Sequence, residues 1–412
     1  MTDYYTKTPG TGGRIRQRVS DFAVEEIAPN GSACEVKAFS DKEKTELEHE
    51  WPENTENREH LIVEMEKFGY DTHSALKQIA RSLRCSPKRM GFAGLKDKRA
   101  ITCQRVSIWN PDLERVKTFR SRYLDLRFLE WSDERIELGD LKGNRFRIVI
   151  RGIELDEKET RKRLEACAEE MKEGIPNFFG EQRFGGLRQV THVVGKLFLQ
   201  GKTKEAVMAY LSVEEPREGE EVCAARKLAR AEKFAEALHL MPYKFKFERI
   251  LLQHLEQNPN DFAGAFQKLP KSLRYLFTHA VQSHLYNEIL KERLKRGFGL
   301  NAVEGDVVED GVPTIPLFGF ESKFSKGVAG EIEKMVLERE GVSLKEFQVR
   351  ELAEMSSKGS RKRIVLKAEN LEIGEIGRDE YNEGKIKAAV SFELEKGNYA
   401  TTVLDELLKV SA

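Results

Sequence analysis

The sequence predicts an α+β protein in which the two ends of the chain form one β-rich domain and a largely helical insertion separates them. Three observations predict this class. The first 155 residues are mainly strand-like, helical patterns dominate from GEQRFGG to about residue 350, and an alternating strand returns in KIKAAVSFELE. Because an isolated strand needs a sheet to join, we expect this last strand to pair with the N-terminal strands.

Strands are predicted in the N-terminal part where apolar and polar residues alternate, in RIRQRVSDFAVEEI, EHLIVEMEK, RVSIW, RYLDLRFLEW and NRFRIVIRGI. In the last of these, Phe146, Ile148 and Ile150 share one face. Three arginines share the other, namely Arg145, Arg147 and Arg151. We therefore expect a half-buried strand whose arginines face solvent or a ligand.

Helices are predicted where apolar residues recur every three or four positions. DTHSALKQIARSL is capped by Asp71 or Thr72, residues 156–173 stop at Gly174, and YATTVLDELLKV closes the chain. The longest helix, SLRYLFTHAVQSHLYNEILKERLKRG, precedes a β-like passage, NAVEGDVVEDGVPTIPLFGF. These changes of pattern divide the chain into 1–174, 175–354 and 355–412.

Composition excludes several classes of protein. Of the 412 residues, 40% are apolar and 33% charged, and no apolar run approaches the roughly eighteen residues that a membrane helix needs. The polar start lacks the apolar core of a signal peptide, so we expect a cytoplasmic protein without membrane contact. The five cysteines are scattered and never form a C-x-x-C pair, so we expect neither disulfides nor a zinc site.

Familiar cofactor motifs do not occur in the sequence. GKLFLQGKT places five residues between its glycines where a phosphate-binding loop requires four, and PGTGG is followed by Ile15 where the dinucleotide motif has its third glycine. His279 and His284 are five residues apart and fall on different faces of a helix. We therefore expect neither a metal nor a nucleotide cofactor.

Charge is unevenly distributed along the chain, although the net charge is zero. Residues 41–66 hold ten acids and three bases, residues 77–105 hold nine bases and one acid, and KGSRKRIVLK (358–367) adds five bases and no acid. Such blocks are typical of solvated faces. Basic blocks beside strand-like segments are also typical of a surface that binds phosphates.

The single acid of the basic block is Asp97, in GFAGLKDKRAIT. One interpretation is a charged surface turn, because aspartate is a preferred turn residue. The other is a carboxylate that Lys96, Lys98 and Arg99 keep ionised while they attract phosphates, which gives a nucleophile or base inside the binding site of a polyanion. The segment alone leaves both interpretations open.

Three further segments carry candidate residues. LKGNRF sets Asn144 two residues before Phe146, either as a hydrogen-bonding and stacking pair or as a turn before a core ring. PNFFGEQRFGG combines three phenylalanines with Arg183, either as a base-stacking loop or as a hinge with buried aromatics. EKGNYATTVLDEL places Tyr399 at a strand-to-helix corner, where its ring faces a cleft or caps the core.

Taken in this order and at these spacings, GFAGLKDKRAIT, LKGNRF, PNFFGEQRFGG and GNYATTVLDEL resemble the TruD family of pseudouridine synthases. The resemblance covers nearly the whole chain, including the opening GTGGRIRQRVSDFAVEE. It implies a catalytic domain at 1–174 and 355–412, with a mixed, mainly antiparallel sheet of the pseudouridine synthase type. It also implies a largely helical α/β insertion domain at 175–354, and the long insertion resembles archaeal members.

The resemblance also implies roles for individual residues. Asp97 matches the family's catalytic aspartate, and Arg16 falls where relatives place a basic residue that pairs with it. Positions that hold and stack the target uridine are matched by Phe22, Asn144, Phe146 and Tyr399. Tyr399 stands where relatives have phenylalanine, so stacking is expected with an added hydroxyl. Contacts to RNA are expected from Lys96, Lys98, Arg99 and Arg183.

The implied reaction is the isomerisation of uridine in RNA, typically at position 13 of tRNA. Uracil is detached from C1′, turned and rejoined through C5, without a cofactor. An ionised Asp97 suits attack on the sugar, attack on the base, or removal of a proton from C2′, and the sequence does not choose among these routes. The expected partner is tRNA, with no obligatory protein partner. The alternative is a non-catalytic RNA-binding or chaperone protein with the same fold.

Overall fold

A computed structural model describes residues 4–40, 44–349 and 352–410. The chain divides into two compact units: unit 1 comprises Met1–Ile175 and Leu366–Ala412, and unit 2 comprises Pro176–Val365. Unit 2 extends past the predicted boundary at 354 because the strand Ser360–Arg363 pairs with Val312–Leu317 inside it. The roles of catalytic domain and insertion remain predictions for these units.

The elements follow the chain in three groups. The first contains β1 (Phe22–Ile27), β2 (His60–Phe68), α1 (Thr72–Ser82), β3 (Met90–Phe92), β4 (Ile101–Trp109), α2 (Leu113–Lys117), β5 (Leu124–Ser132), β6 (Gly143–Ile153), α3 (Glu157–Met171) and β7 (Ile175–Pro176). The second contains α4 (Thr191–Leu199), α5 (Thr203–Ser212), α6 (Glu220–Arg230), α7 (Phe234–Leu240), α8 (Lys246–Gln257), α9 (Phe262–Gln267), α10 (Lys271–Lys295), β8 (Val307–Glu309), β9 (Val312–Leu317), α11 (Gly327–Glu340) and β10 (Ser360–Arg363). The last contains β11 (Val365–Leu366), β12 (Glu369–Arg378), β13 (Ile386–Glu395) and α12 (Ala400–Leu408).

Unit 1 is built on an eight-stranded sheet with the strand order β12-β13-β6-β1-β4-β2-β5, and β3 pairs with β4 beside this path. Only β1 and β4 are parallel among the described pairs of this sheet. The C-terminal strand β13 pairs with β6 over most of its length, with Phe392 opposite Phe146. The predicted α+β class, with a mainly antiparallel sheet formed from both chain ends, is confirmed.

The first predicted strand, RIRQRVSDFAVEEI, is wrong in its N-terminal half. Regular pairing begins only at Phe22, after a 3₁₀ turn at Val19–Asp21. Arg16 has a φ of 59°, in the left-handed region that L-residues rarely adopt, and this conformation interrupts the extended chain. The interruption directs Arg16 away from the sheet ladder, towards the loop that carries Asp97.

One face of the sheet carries the apolar core of unit 1. The register places Val24 of β1 opposite Phe146 of β6 and Thr102 of β4, so the side chains at these positions share that face. Helices α3 and α12 cover its β6–β13 side, and α1 covers its β2–β4 side. α1 begins at its predicted cap, since the Asp71 side chain accepts from the Ser74 amide at 2.9 Å. The candidate site lies on this same face.

The opposite face holds buried and half-buried ion pairs. Arg147 and Arg145 contact Glu25, and Arg145 also donates to Glu393 at 2.8 Å. Arg151 is 3% exposed and pairs with carboxylates that include Asp21. The expectation that the β6 arginines face solvent or a ligand is therefore wrong for Arg151 and incomplete for the other two, because nearby carboxylates bind them.

Unit 2 is mainly helical. Its core joins buried side chains of α4 to α10, and β8, β9 and β10 form a three-stranded antiparallel sheet beside the long helix α10. Tyr286 of α10 is fully buried and donates its hydroxyl to the Arg363 carbonyl at 2.9 Å. Within the described parts of the chain, no helix combines the length and apolarity needed to cross a membrane.

Candidate active site

Asp97 lies in the loop between β3 and β4, and its carboxylate pairs with Arg16. The Arg16 Nη2 atom donates to Asp97 Oδ1 at 2.8 Å, and 37% of the Asp97 side chain is exposed. A ligand can therefore reach the carboxylate while the guanidinium holds one of its oxygens. The two residues are 81 positions apart in sequence, and the structure brings them together as the resemblance implied.

A buried lysine holds the backbone of this loop. Lys67, at the end of β2, is fully buried and donates from Nζ to the Asp97 carbonyl at 2.7 Å and to the Lys96 carbonyl at 3.5 Å. Burial lowers the pKa of Lys67 to about 8, against an opposing attraction from Asp97. Two carbonyls aimed at one ammonium fix the direction in which the Asp97 side chain leaves the loop.

Two neutral side chains fasten the same loop to the sheet face. The Lys96 amide donates to Thr72 Oγ1 at 3.2 Å, at the first residue of α1. Gln104 of β4 is fully buried, and its Nε2 donates to the Gly94 carbonyl at 2.9 Å. Residues 94–97 are thus bound from β2, β4 and α1, which makes the position of Asp97 a property of the folded unit.

Lys96 does not occupy the surface position predicted for an RNA contact. Only 4% of its side chain is exposed, and its Nζ donates to Glu26 Oε2 at 2.7 Å. Glu26, which is itself fully buried, also pairs with Arg105 at 3.3 Å. Because the Lys96 charge is neutralised inside the protein, we correct its assignment: it anchors the Asp97 loop and is not available to a phosphate.

The aromatic residues of the site lie beside Arg16. The Arg16 guanidinium lies 4.0 Å from the centroid of the Phe22 ring, and Phe22 meets Phe146 edge to face with centroids 6.1 Å apart. Phe146 stacks on Phe392 at 5.5 Å. A continuous path of contacts therefore runs from the Asp97 carboxylate through Arg16 to the Phe22 and Phe146 rings.

These rings are covered in the structure. Phe22 is 1% exposed and Phe146 is 6% exposed, and Arg16 lies over the face of Phe22. A flat base can stack on that face only after the Arg16 side chain moves. The structure therefore describes the residues of the predicted base-binding site in a closed arrangement.

Besides Arg16 Nε, two polar atoms on the site face lack partners among the described residues. They are Asn144 Oδ1 and Thr102 Oγ1, both buried. Asn144 pairs with Glu26 in the β1–β6 register, and Thr102 lies opposite Val24, so both side chains project on the face that carries Phe22 and Phe146. A buried polar atom without a partner costs stability, which is typical of groups reserved for a ligand.

Three other predicted site residues are Tyr399, Lys98 and Arg99. Tyr399 precedes α12 as its N-terminal cap residue and is partly buried. Lys98 and Arg99 are exposed, and Arg99 donates to the Gln17 carbonyl at 3.3 Å. The exposed pair retains the position predicted for phosphate contacts.

Arg183 belongs to unit 2, where its Nε donates to Ser283 Oγ at 3.1 Å. Phe179 and Phe184 of the same segment are only 6% and 7% exposed. Both rings are buried in the structure, which favours the alternative of buried aromatics for this segment.

Sequence reasoning missed Lys67 and Thr102. A signal for Lys67 was present, because Leu61, Val63 and Met65 alternate on the apolar face of β2 and Lys67 continues that alternation. A lysine on the buried face of a strand needs a partner, and the loop supplies it. Nothing in the sequence distinguishes Thr102 from any other strand threonine.

No cluster of metal-ligating side chains occurs in the part of the chain that the structure describes.

Comparison with known proteins gives consistent matches. The family model described as tRNA pseudouridine synthase D (TruD) matches residues 1–312 and 309–407. A protein of Methanococcoides burtonii named probable tRNA pseudouridine synthase D is 39% identical, covering 99% of this chain and 95% of that protein. A counterpart from Methanocaldococcus jannaschii is 36% identical over 99% of this chain and 97% of its own length.

A solved structure supports the same relationship. The crystal structure of a protein assigned as tRNA pseudouridine synthase D (TruD) from Methanosarcina mazei superposes with a TM-score of 0.79. The two sequences are 38% identical, and the match covers 100% of this chain and 97% of the other.

Proposed function

Because the chain belongs to the TruD family of tRNA pseudouridine synthases, we propose that Asp97 is the catalytic residue with which it isomerises uridine 13 of tRNA. The chain is an isomerase that converts uridine in tRNA to pseudouridine. The residue roles and the tRNA position are the parts that we propose. The single observation that carries the residue roles is the partly exposed Asp97 carboxylate, held by Arg16 beside Phe22 and Phe146. Position 13 is proposed from the family to which the chain belongs.

The reaction exchanges one bond for another within a single nucleotide. The N1–C1′ bond breaks, the uracil turns, and a C5–C1′ bond forms while C5 loses its proton and N1 gains one. Each of the three open routes requires an ionised Asp97 oxygen, which must lie close to the ribose for attack on the sugar or removal of the C2′ proton and close to the uracil ring for attack on the base. Arg16 supports this requirement because its positive charge stabilises the carboxylate.

Substrate entry requires a base outside the RNA stack and an opened pocket. Extruding a nucleotide from a folded stem costs on the order of a few kcal/mol, which stacking and backbone contacts offset. In our proposal, Arg16 leaves the face of Phe22 as the uracil enters, and the uracil then lies against that face, beside Phe146. Asn144 Oδ1 and Thr102 Oγ1 are then available to the polar edge of the base.

One assay distinguishes the proposed catalysis from the alternative function, RNA binding without catalysis. A tRNA transcript carrying tritium at uridine C5 releases that label to water when the base is rejoined through C5, whereas binding alone releases none. The proposal predicts release from a wild-type transcript and loss of that release when position 13 is replaced by cytidine. Binding without release would favour the non-catalytic alternative. Release that persists without uridine 13 would overturn the assigned position.

We also propose which components the reaction needs and in which compartment of the cell it takes place. The purified chain should act on tRNA transcripts without an added cofactor or protein partner, and in the cell it should act in the cytoplasm with its tRNA. Activity that appears only after addition of a cell extract would contradict the first statement.

A further inference from the structure

Unit 2 contains a cavity of about 490 Å³ with a basic lining. Its lining includes Arg183, Tyr275, His279, Gln282, Ser283 and Lys358. The residues that line it include two cations and no carboxylate. A cavity with this charge favours an anionic ligand and disfavours a divalent metal ion.

Hydrogen bonds from α10 hold the wall of the cavity in place, so the cavity has its shape before any ligand binds. Gln282 donates from Nε2 to the Phe318 carbonyl at 2.6 Å and to Ser357 Oγ at 2.9 Å. Gly359 has a φ of 97°, and a Cβ atom there would lie 2.2 Å from Ser322 Oγ. Only glycine fits this turn without displacing its neighbours.

Arg183 enters the cavity with its charge uncompensated. Its Nε donates to Ser283 Oγ, its guanidinium lies 5.3 Å from the centroid of the Phe179 ring, and none of the residues that line the cavity is a carboxylate that could pair with it. Burial and the nearby Arg183 lower the pKa of His279 to about 4, so His279 is neutral near pH 7. The terminal NH₂ groups of Arg183 therefore suit a phosphate oxygen from the ligand.

An exposed aromatic ring stands beside this cation. Tyr275 is 47% exposed, and its ring lies against His279 with centroids 4.0 Å apart. Lys358, whose side chain is 74% exposed, contacts Glu321 at 3.2 Å in a surface pair that is easily exchanged for a phosphate. An exposed ring next to cations is the arrangement on which unpaired RNA bases stack.

We infer that this cavity binds one unpaired nucleotide of the substrate tRNA, with Arg183 bonding its phosphate and Tyr275 stacking its base. The site contributes affinity and takes no part in the chemistry. The inference rests on the proposed function only in naming tRNA as the RNA that is bound.

The test measures the affinity of the protein for tRNA transcripts that carry no amino acid, by fluorescence anisotropy at several salt concentrations. Tyr275→Ala should weaken binding about tenfold, whereas Tyr275→Phe should bind as the wild type does, because stacking needs the ring and not the hydroxyl. Arg183→Gln should reduce the slope of log Kd against log salt by about 0.7, the value for one lost contact to a single strand. Tyr243→Ala is the matched control, since Tyr243 is 83% exposed in unit 2 but does not line the cavity.

Unchanged affinity of Tyr275→Ala and an unchanged salt slope of Arg183→Gln, in variants whose urea unfolding matches the wild type, would overturn the inference. A loss of affinity in Tyr243→Ala equal to that in Tyr275→Ala would also overturn it, because the effect would not belong to the cavity. These outcomes are distinct from failure of the proposed function, which shows as tRNA binding without tritium release by the wild type.

Discussion

Arg16 and Asp97 form a 2.8 Å contact in which one guanidinium group serves two neighbours, the carboxylate and the Phe22 ring 4.0 Å away. Arg16 reaches both from a backbone conformation with a φ of 59°. The same side chain thus stabilises the charge of Asp97 and covers the ring beside which we place the base. This double contact makes Arg16 the residue whose replacement should affect both entry and chemistry.

Replacing Arg16 with methionine should lower the single-turnover rate of tritium release by about one to two orders of magnitude, because the carboxylate loses its hydrogen-bonded cation. Arg16→Lys should retain part of the rate, since it keeps the charge but not the planar geometry. Arg14→Met, a nearby exposed arginine, serves as the control and should react within about twofold of the wild type. An Arg16→Met variant as fast as this control would contradict the role.

Lys67 should impose a pH dependence on stability. Its pKa is near 8 in the folded protein and 10.5 when unfolded, so between these values the unfolded chain binds more protons and the stability of the folded state rises with pH. Relative to Lys67→Met, the wild type should gain about 2 kcal/mol of unfolding free energy between pH 8 and pH 10. Urea unfolding of both proteins at the two pH values measures this gain. A difference that stays constant would show that the Lys67 ammonium is not desolvated.

Removing the Thr102 hydroxyl should raise the stability of the protein and lower its activity. Thr102→Val removes a buried hydroxyl without a partner at nearly constant volume, so the unfolding free energy should rise by about 1 kcal/mol. If that hydroxyl serves the uracil, kcat/KM for tritium release should fall about tenfold. Thr160→Val in α3 is a matched control, because Thr160 Oγ1 is also buried without a partner. Equal activity in the two variants would remove Thr102 from the site.

Salt dependence should separate exposed cations from buried ones. Lys98→Ala and Arg99→Ala should each flatten the slope of log Kd against log salt by about one unit for a lost phosphate contact. Lys96→Met should leave the slope unchanged, because Glu26 already neutralises Lys96 inside the protein. A flatter slope for Lys96→Met would restore the assignment that we have corrected.

Much of the architecture could be predicted from local patterns. The alternation of β13 and the cap of α1 depend on residues that are close together in sequence, and both occur in the structure. The resemblance of short motifs placed Arg16 close to Asp97, although 81 positions separate them. Local patterns succeed where the periodicity of burial decides the structure.

Other features could not be predicted because they depend on contacts distant in sequence. Lys96 and Lys98 flank Asp97 and have the same charge, yet one is buried against Glu26 and the other is exposed. The direction of each side chain is set by the path of the loop over β2 and β4. The alternation of β2 places Lys67 on the buried face, but the loop carbonyls that bind it lie 29 and 30 positions further along the chain.

The most direct test of the account is tritium release by Asp97→Asn on tRNA labelled at uridine C5. Asparagine keeps the shape of the side chain and an oxygen for Arg16 but has no negative charge. The account predicts that release falls by more than about a thousandfold while the Kd for tRNA stays within about threefold of the wild type. Release at the wild-type rate from this variant would contradict the assignment of Asp97 as the catalytic residue.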